Sequence, residues 1–229
     1  VDFTDNKVAA RTAIYGNTFQ YVQWIDNNFV FTEALGEQSL NSLNTVSRNN
    51  HFTFRSESGS QNNILHGFYF QEFGRNLSIR DSIVDLGDAP SDKFLISISN
   101  SRNVVIEQVD FHGRRASSLI YMGHKGSKDF AVSGNAVRHC TFDILEVARY
   151  VMVNGQQSQF MHDNAIEDCV FSGNARVGDA IRMLDVRGNF SFARNRWTQG
   201  NCFTFSKADG LKAGANRRGD QSAGCRAIN

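Results

Sequence analysis

The sequence predicts an all-β fold, a single-stranded parallel β-helix solenoid of about seven coils, and three regularities predict it. The first is a six-residue unit: an apolar residue, four variable residues, then a large apolar residue. It recurs as Ile79 with Val84, Ile106 with Phe111, Val137 with Phe142, Ile166 with Phe171 and Phe192 with Trp197. The unit starts lie 27, 31, 29 and 26 positions apart, and steps of 25 carry the spacing back to Phe54 and Phe29. The second regularity is a further strand that keeps step: Ile120 and Val151 follow Ile106 and Val137 by 14 residues, and Ile181 follows Ile166 by 15. The third is an asparagine two or three residues ahead of each unit, at Asn76, Asn103, Asn135, Asn164 and Asn189.

Each regularity has a physical reading. Strand side chains alternate between faces, so the unit's apolar residues fill a narrow interior. Stacked coils bring equivalent positions to within about 4.8 Å. The asparagines suit left-handed turn geometry and can bond their copies in the next coil, so the two glycosylation-type triplets, at Asn76 and Asn189, read as ladder positions. The residues after four of the unit starts, Arg80, Glu107, Arg138 and Glu167, alternate in charge up the predicted stack. Cys140 and Cys169 share one coil position and read as an inward stack of thiols, with a disulfide between neighbouring coils as the alternative.

The remaining segments frame the repeat. Residues 1–14, with Thr4 and Asp5 ahead of Lys7 to Ile14, predict an N-terminal cap, helix or strand, over the first coil. Phe19 to Trp24, Phe29 to Phe31 and His51 to Arg55 read as strands, and Thr32 to Asn44 as a short helix or long loop. One β-helix domain thus spans 1–206, and 207–229, rich in Gly, Ala and basic residues, is a C-terminal tail or cap. Cys202 and Cys225 are candidates to pin that tail. The formal net charge of +1 supplies no field for nucleic acid, and no apolar run approaches the roughly 18–20 residues of a membrane-spanning helix. The chain begins at Val, which fits a processed secreted or extracellular (including periplasmic) protein.

The units Asn103-Val104-Val105-Ile106 with Phe111, Asn135-Ala136-Val137 with Phe142 and Asn164-Ala165-Ile166 with Phe171 carry a resemblance to the right-handed parallel β-helix superfamily typified by pectin lyases. It covers roughly residues 50–206. The superfamily includes polysaccharide lyases, polygalacturonase-type hydrolases, uronan epimerases, phage tailspikes and adhesins. Comparison with its chondroitinase B and alginate lyase family implies a Lys base, an Arg acid and a calcium ion that neutralises a uronate carboxylate. The sequence departs from that family in lacking its acidic calcium motif, and it also lacks the Asp clusters of polygalacturonase-type hydrolysis.

The residues themselves point to the second strand of each coil. With Ile, Val and Met inward, its outward ladder reads Tyr69, Ser97, Tyr121, Met152, Arg182 and Thr204, with Asn154 two positions beyond Met152. Aromatic rings stack on sugars and Arg pairs bidentately with carboxylates, so this face suits an acidic polysaccharide. The loop after it, Gly123-His124-Lys125-Gly126, supplies His124 or Lys125 as a base, while Arg149, Tyr150 and Arg182 lie on neighbouring coils. Neighbouring cations would lower a lysine pKa toward a useful range. Arg115, in His112-Gly113-Arg114-Arg115, is a further candidate for a carboxylate or sulfate, and His139 with Asp168 is a surface pair short of a metal site. The sequence therefore predicts a polysaccharide lyase acting by β-elimination, with calcium as a candidate cofactor. The rival is a non-catalytic carbohydrate-binding, adhesin-like or phage-spike-like module. An ice-binding solenoid is disfavoured because the outward ladders lack a regular Thr array.

Overall fold

The computed structural model describes residues 2–10, 14–17, 19–31, 37–40, 42–55, 69–88, 90–123, 131–155, 161–175, 181–184, 186, 188–198, 204–206, 211–218 and 221–222. All regular structure among them is β, and no helix is long and apolar enough to cross a membrane. The chain winds as a parallel β-solenoid with three sheet faces. The first face stacks Asp2–Thr4, Gln23–Ile25, Leu43–Arg48, the start of Arg75–Asp85, the start of Arg102–Gly123, Ala136–Arg138, Asn164–Glu167, Phe190–Ala193 and Leu211–Gly214. The second face runs from Lys7–Ala10 through His51–Phe54 and the middle of Arg102–Gly123 to Val170–Ala175 and Arg217–Arg218. The third runs from Ile14–Asn17 through Tyr69–Glu72, Pro90–Ser99 and the ends of Arg102–Gly123 and Thr141–Asn154 to Ile181–Leu184 and Thr204–Ser206.

Several sequence expectations change here. The six-residue unit is not one strand: its two apolar ends lie on different faces, either side of a corner. Ile106 is on the first face and Phe111 on the second, with Gln108 between them at φ 53°. The same corner carries Asp26, Asn49, Asp81, His139, Asp168 and Arg194, all at φ between 50° and 58°. The predicted N-terminal cap is absent from the described residues, because Asp2–Thr4, Lys7–Ala10 and Ile14–Asn17 pair in parallel with the following strands as a rung of the sheet. The helix considered for 32–44 is likewise absent from the described residues, where Glu37–Leu40 and Leu43–Arg48 are strands. Past residue 206 the stacking continues through Leu211–Gly214 and Arg217–Arg218, and Gln221–Ser222 then turns back antiparallel on the latter.

The interior follows from register. On the second face Phe29, Phe52, Val84, Phe111, Phe142, Phe171 and Trp197 occupy one inward column. Phe111 and Phe142 stack at 4.8 Å and 1°, Phe142 and Phe171 at 5.1 Å and 13°. Burial of each such ring contributes about 1.5–3 kcal/mol. Cys140 and Cys169 are free, buried thiols of the same interior, as the stack predicted, and burial pushes the Cys169 thiol well up. Cys202 and Cys225 lie outside the described residues.

Polar ladders close the corners. At the first-to-second corner Asn27 Oδ1 accepts from Asn6 N and Nδ2, and Asn50 Oδ1 from Asn27 N and Nδ2. The same device returns near the C-terminal end, where Cys169 N donates to Asn195 Oδ1 and Asn195 N to Asn216 Oδ1. At the third-to-first corner the predicted asparagine set splits in two. Asn44, Asn76 and Asn103 form an exposed ladder of left-handed residues. Asn135 and Asn164 form a buried one, because Asn103 aligns with left-handed Gly134 and the next asparagine falls one residue later. The charge ladder appears as read: Arg80 Nη1 meets Glu107 Oε2 at 2.9 Å and Arg138 Nε meets Glu167 Oε2 at 3.3 Å. Exposed pairs of this kind contribute about 0.2–1 kcal/mol.

Two stability predictions follow from these contacts. Asn135→Ala removes the acceptor of Val104 N–H and the donor to the Ser101 carbonyl, both buried, whereas Asn76→Ala removes only two exposed links, to Asn44 and Asn103. Urea unfolding should show a loss of about 2–5 kcal/mol for Asn135→Ala and under about 1 kcal/mol for Asn76→Ala; equal losses would contradict the buried role. Arg194 donates Nε to Asp168 Oδ1 and Nη2 to Oδ2, both at 2.8 Å, and those bonds hold the Asp168 carboxyl below its ordinary value of 3.8. A depressed carboxylate stabilises above its unfolded pKa, and that contribution is lost as pH falls through the folded value. Arg194→Gln should therefore lower the melting temperature at neutral pH and have little effect once pH is well below 3.8, a crossover that paired melts would detect.

Candidate functional site

The site is built from the third face, where flat, in-register strands place one outward side chain per rung. Ile96, Ile120, Val151 and Ile181 form one inward column and Ile98, Met122, Val153 and Met183 the next, all fully buried. Between them Ser97, Tyr121, Met152 and Arg182 align in register in the predicted order, and the backbone of Thr204 pairs with Arg182 on the next rung. Tyr69 does not belong to this column. It pairs with Ile96, and Phe70 pairs with Ser97, so the predicted ladder is one residue out of register at that rung.

Tyr121, Met152 and Arg182 are each half-buried although they point outward. Phe94 packs against the Tyr121 ring at a centroid distance of 4.7 Å and 33°, so one ring face is already occupied. The ring leans over Gly123: a Cβ there would lie 2.9 Å from Tyr121 Oη and 2.6 Å from the Asn154 carbonyl oxygen. Burial raises the Tyr121 phenol above its ordinary pKa and keeps it protonated. Asn154 pairs in register with Gly123 and Leu184 and is half-buried.

The two arginines meet at Met152. Arg149 turns its guanidinium across the face so that Nη1 lies 3.8 Å from Met152 Sδ. Arg182 occupies the next rung, directly beside Met152 in register. Its Nε is buried without a hydrogen-bond partner, and no carboxylate among the described residues pairs with its guanidinium. The first-face and corner arginines Arg80, Arg138 and Arg194, and Arg114 beside Asp88, all have carboxylate partners. A buried guanidinium Nε without a hydrogen-bond partner is costly, and an anion placed against it relieves that cost.

Other predicted residues lie elsewhere. Tyr150 is fully buried: its hydroxyl donates to the Gly173 carbonyl at 2.8 Å and its ring stacks on Phe171 at 5.6 Å. It is a core residue and not a ligand contact. The cause is a register irregularity between Asp143 and Glu146, together with Gly173 at φ 117°, where a Cβ would collide with the Ile144 carbonyl oxygen. Arg115 is exposed and aligned with Pro90 and Glu146, three residues ahead of Ser118, away from the Arg149–Arg182 pair. The segment around it is extended. His124 and Lys125 lie outside the described residues. Among the described residues no three His, Cys, Asp or Glu side chains converge to hold a metal, so they do not fit the calcium ion of the family comparison. Asp168 takes Arg194, not His139, as its hydrogen-bond partner.

Sequence reasoning missed two contributors. Phe94 escaped because a register shift between Ser91 and Phe94 breaks the alternation that would have placed it. Gly123 carried a signal, a glycine two residues after an outward tyrosine.

Fold and faces together define a parallel β-solenoid. Comparison with solved structures aligns it with the catalytic domain of a GH87 α-1,3-glucanase in complex with nigerose, at a TM-score of 0.50 and 13% identity. The alignment covers 92% of this chain and 49% of the other, so the chain spans about half the length of that domain. No family model matches the chain, and no curated protein matches it.

Gly123→Ala tests the packing of this face. The added Cβ forces the Tyr121 ring or the Asn154 rung to move, and a loss of about 1–3 kcal/mol is expected. The double variant Gly123→Ala with Tyr121→Ala should recover part of the loss in thermal melts; if it does not, the ring is not what the methyl meets.

Proposed function

We propose that this protein is a carbohydrate-active member of the right-handed, pectin lyase-like β-helix superfamily that binds an acidic, uronate-containing polysaccharide on its third face. One observation carries the reading: Arg182 stands half-buried beside Met152, its Nε without a hydrogen-bond partner and, among the described residues, without a carboxylate. A uronate carboxylate fits a guanidinium bidentately, and half-buried Asn154 adds a neutral hydrogen-bonding group to the same face. The similarity to a glucanase catalytic domain supports a carbohydrate ligand through the fold alone. The reading includes a location outside the cytoplasm, where the protein would meet such a polymer.

In the catalytic form of this proposal the reaction is β-elimination. Arg182 or Arg149 neutralises the carboxylate and so acidifies the adjacent C5 proton. His124 or Lys125, one and two residues past Gly123, removes that proton. Its electron pair forms the C4–C5 double bond, the C4–O bond breaks, and the leaving oxygen takes up a proton. The second reading is a non-catalytic binding module, favoured by the residue types that the structure brings together here: Arg149, Arg182, Tyr121 and Asn154 bind, and none of them is a ready base at neutral pH.

The test is a screen of pectate, alginate, glycosaminoglycans and neutral glucans for binding and for the ultraviolet absorbance of the unsaturated product. Binding restricted to acidic polymers is expected, with Arg182→Gln weakening it about tenfold or more. Binding without absorbance selects the module. Preference for neutral glucans, or indifference to Arg182→Gln, would remove the proposal.

A further inference from the structure

A second group of cations stands away from the third-face site, where the third face turns into the first. Register stacks Leu43, Arg75, Arg102, Ser133 and His162 in one column at that corner. Arg75 and Arg102 are directly opposed on successive rungs, both exposed, with backbones about 4.8 Å apart. Like charges so placed oppose the stacking of the rungs. The column contains no carboxylate, and among the described residues neither guanidinium has an ion-pair or hydrogen-bond partner. His162 closes the column as a satisfied group, with Nδ1 at 2.8 Å from Asp163 Oδ2.

Two other arginine pairs stand in register, and each differs. Arg80, opposite Arg48, turns to Glu107 at 2.9 Å. Arg196 and Arg217 follow Asn195 and Asn216, whose side chains are buried against the Ile166 and Phe192 carbonyls. Arg75 and Arg102 instead precede the exposed Asn76 and Asn103. Each of these amide nitrogens donates once along the ladder, Asn76 to Asn44 and Asn103 to Asn76, and keeps a second N–H. Opposed cations with spare neutral donors beside them call for an anion that neutralises both guanidiniums. A carboxylate or a sulfate ester carries a single charge and leaves one cation in excess. A phosphomonoester carries about 1.5 to 2 negative charges at neutral pH, and its three terminal oxygens suit guanidinium forks. We propose that Arg75 and Arg102 bind the phosphate group of a phosphomonoester, with Asn76 and Asn103 as neutral donors at its edge. This site is separate from the third face and stands whether or not that face binds a uronate.

Calorimetry on the full chain at neutral pH tests it, with phenyl phosphate and phenyl sulfate as probes of matched shape and different charge. Circular dichroism checks that Arg75→Gln, Arg102→Gln and Arg182→Gln keep the fold. Phenyl phosphate should bind wild type about tenfold or more tightly than phenyl sulfate, and either Arg75→Gln or Arg102→Gln should weaken it about tenfold or more. Arg102→Lys, which keeps the charge and loses the fork, should weaken it less than Arg102→Gln. Arg182→Gln should leave it unchanged. Vesicle sedimentation separates the sources: capture by phosphatidate vesicles, lost in Arg102→Gln, assigns the monoester to a lipid headgroup, and phenyl phosphate binding without such capture assigns it to a soluble ligand. Equal affinity for phenyl sulfate, or equal capture by phosphatidylglycerol vesicles, whose diester carries one charge, would overturn the proposal. So would phenyl phosphate binding that survives both glutamine substitutions, or that is lost in Arg182→Gln instead.

Discussion

The fold depends on satisfying backbone groups at its corners. Strands in a parallel solenoid pair along their length, but each corner turns amide and carbonyl groups away from regular sheet partners, inside a narrow apolar core. Leaving each one unpaired costs about 1–3 kcal/mol. Buried asparagines resolve this by accepting backbone N–H groups with Oδ1 and donating Nδ2 to carbonyls, as Asn27 does toward Phe3, Asn50 toward Trp24 and Asn195 toward Ile166. Where the asparagine is absent, the small side chains of Ser82, Cys140 and Cys169 take the position, and the thiols bond backward to Arg138 and Glu167 carbonyls. Corner geometry then fixes the register, and register fixes which side chains meet on the outer faces.

Much of this was legible because strand periodicity and rung stacking act on every coil alike. The inward columns, the Arg80–Glu107 and Arg138–Glu167 pairs and the thiol stack needed only equivalent positions to superpose. The corner was not legible. Left-handed backbone is normally signalled by Gly or Asn, yet here Gln108, His139 and Arg194 adopt it because the stack on either side leaves the chain no other route. One six-residue unit thus concealed a junction between two faces. The asparagine ladders were misaligned for a related reason: a one-residue offset at Gly134 converts an exposed ladder into a buried one, and spacings of two and three residues look alike in a sequence.

The candidate site divides in the same way. The outward order Ser97, Tyr121, Met152, Arg182 could be read from alternation, since its inward neighbours are all Ile, Val or Met. Tyr150 was misread because an extra residue between Asp143 and Glu146 turns it into the core, and Tyr69 because its rung pairs regularly but one residue away from the register the spacing implied. That Arg182 has no carboxylate partner among the described residues, while Arg80, Arg138 and Arg194 each have one, is a property of three-dimensional surroundings. No count of charges along the chain reveals it.

The division of labour among faces is the functional content of the fold. At its border with the second face, the first face is consumed by asparagine and charge ladders that neutralise themselves. The third face keeps Arg182, without a carboxylate partner among the described residues, beside a thioether and a protonated phenol. A structure of the protein with a bound uronate oligomer tests this most directly. The account predicts sugar density over Met152 with a carboxylate at Arg182. Density over the first-face charge ladder instead, with Arg182 still uncontacted, would contradict it.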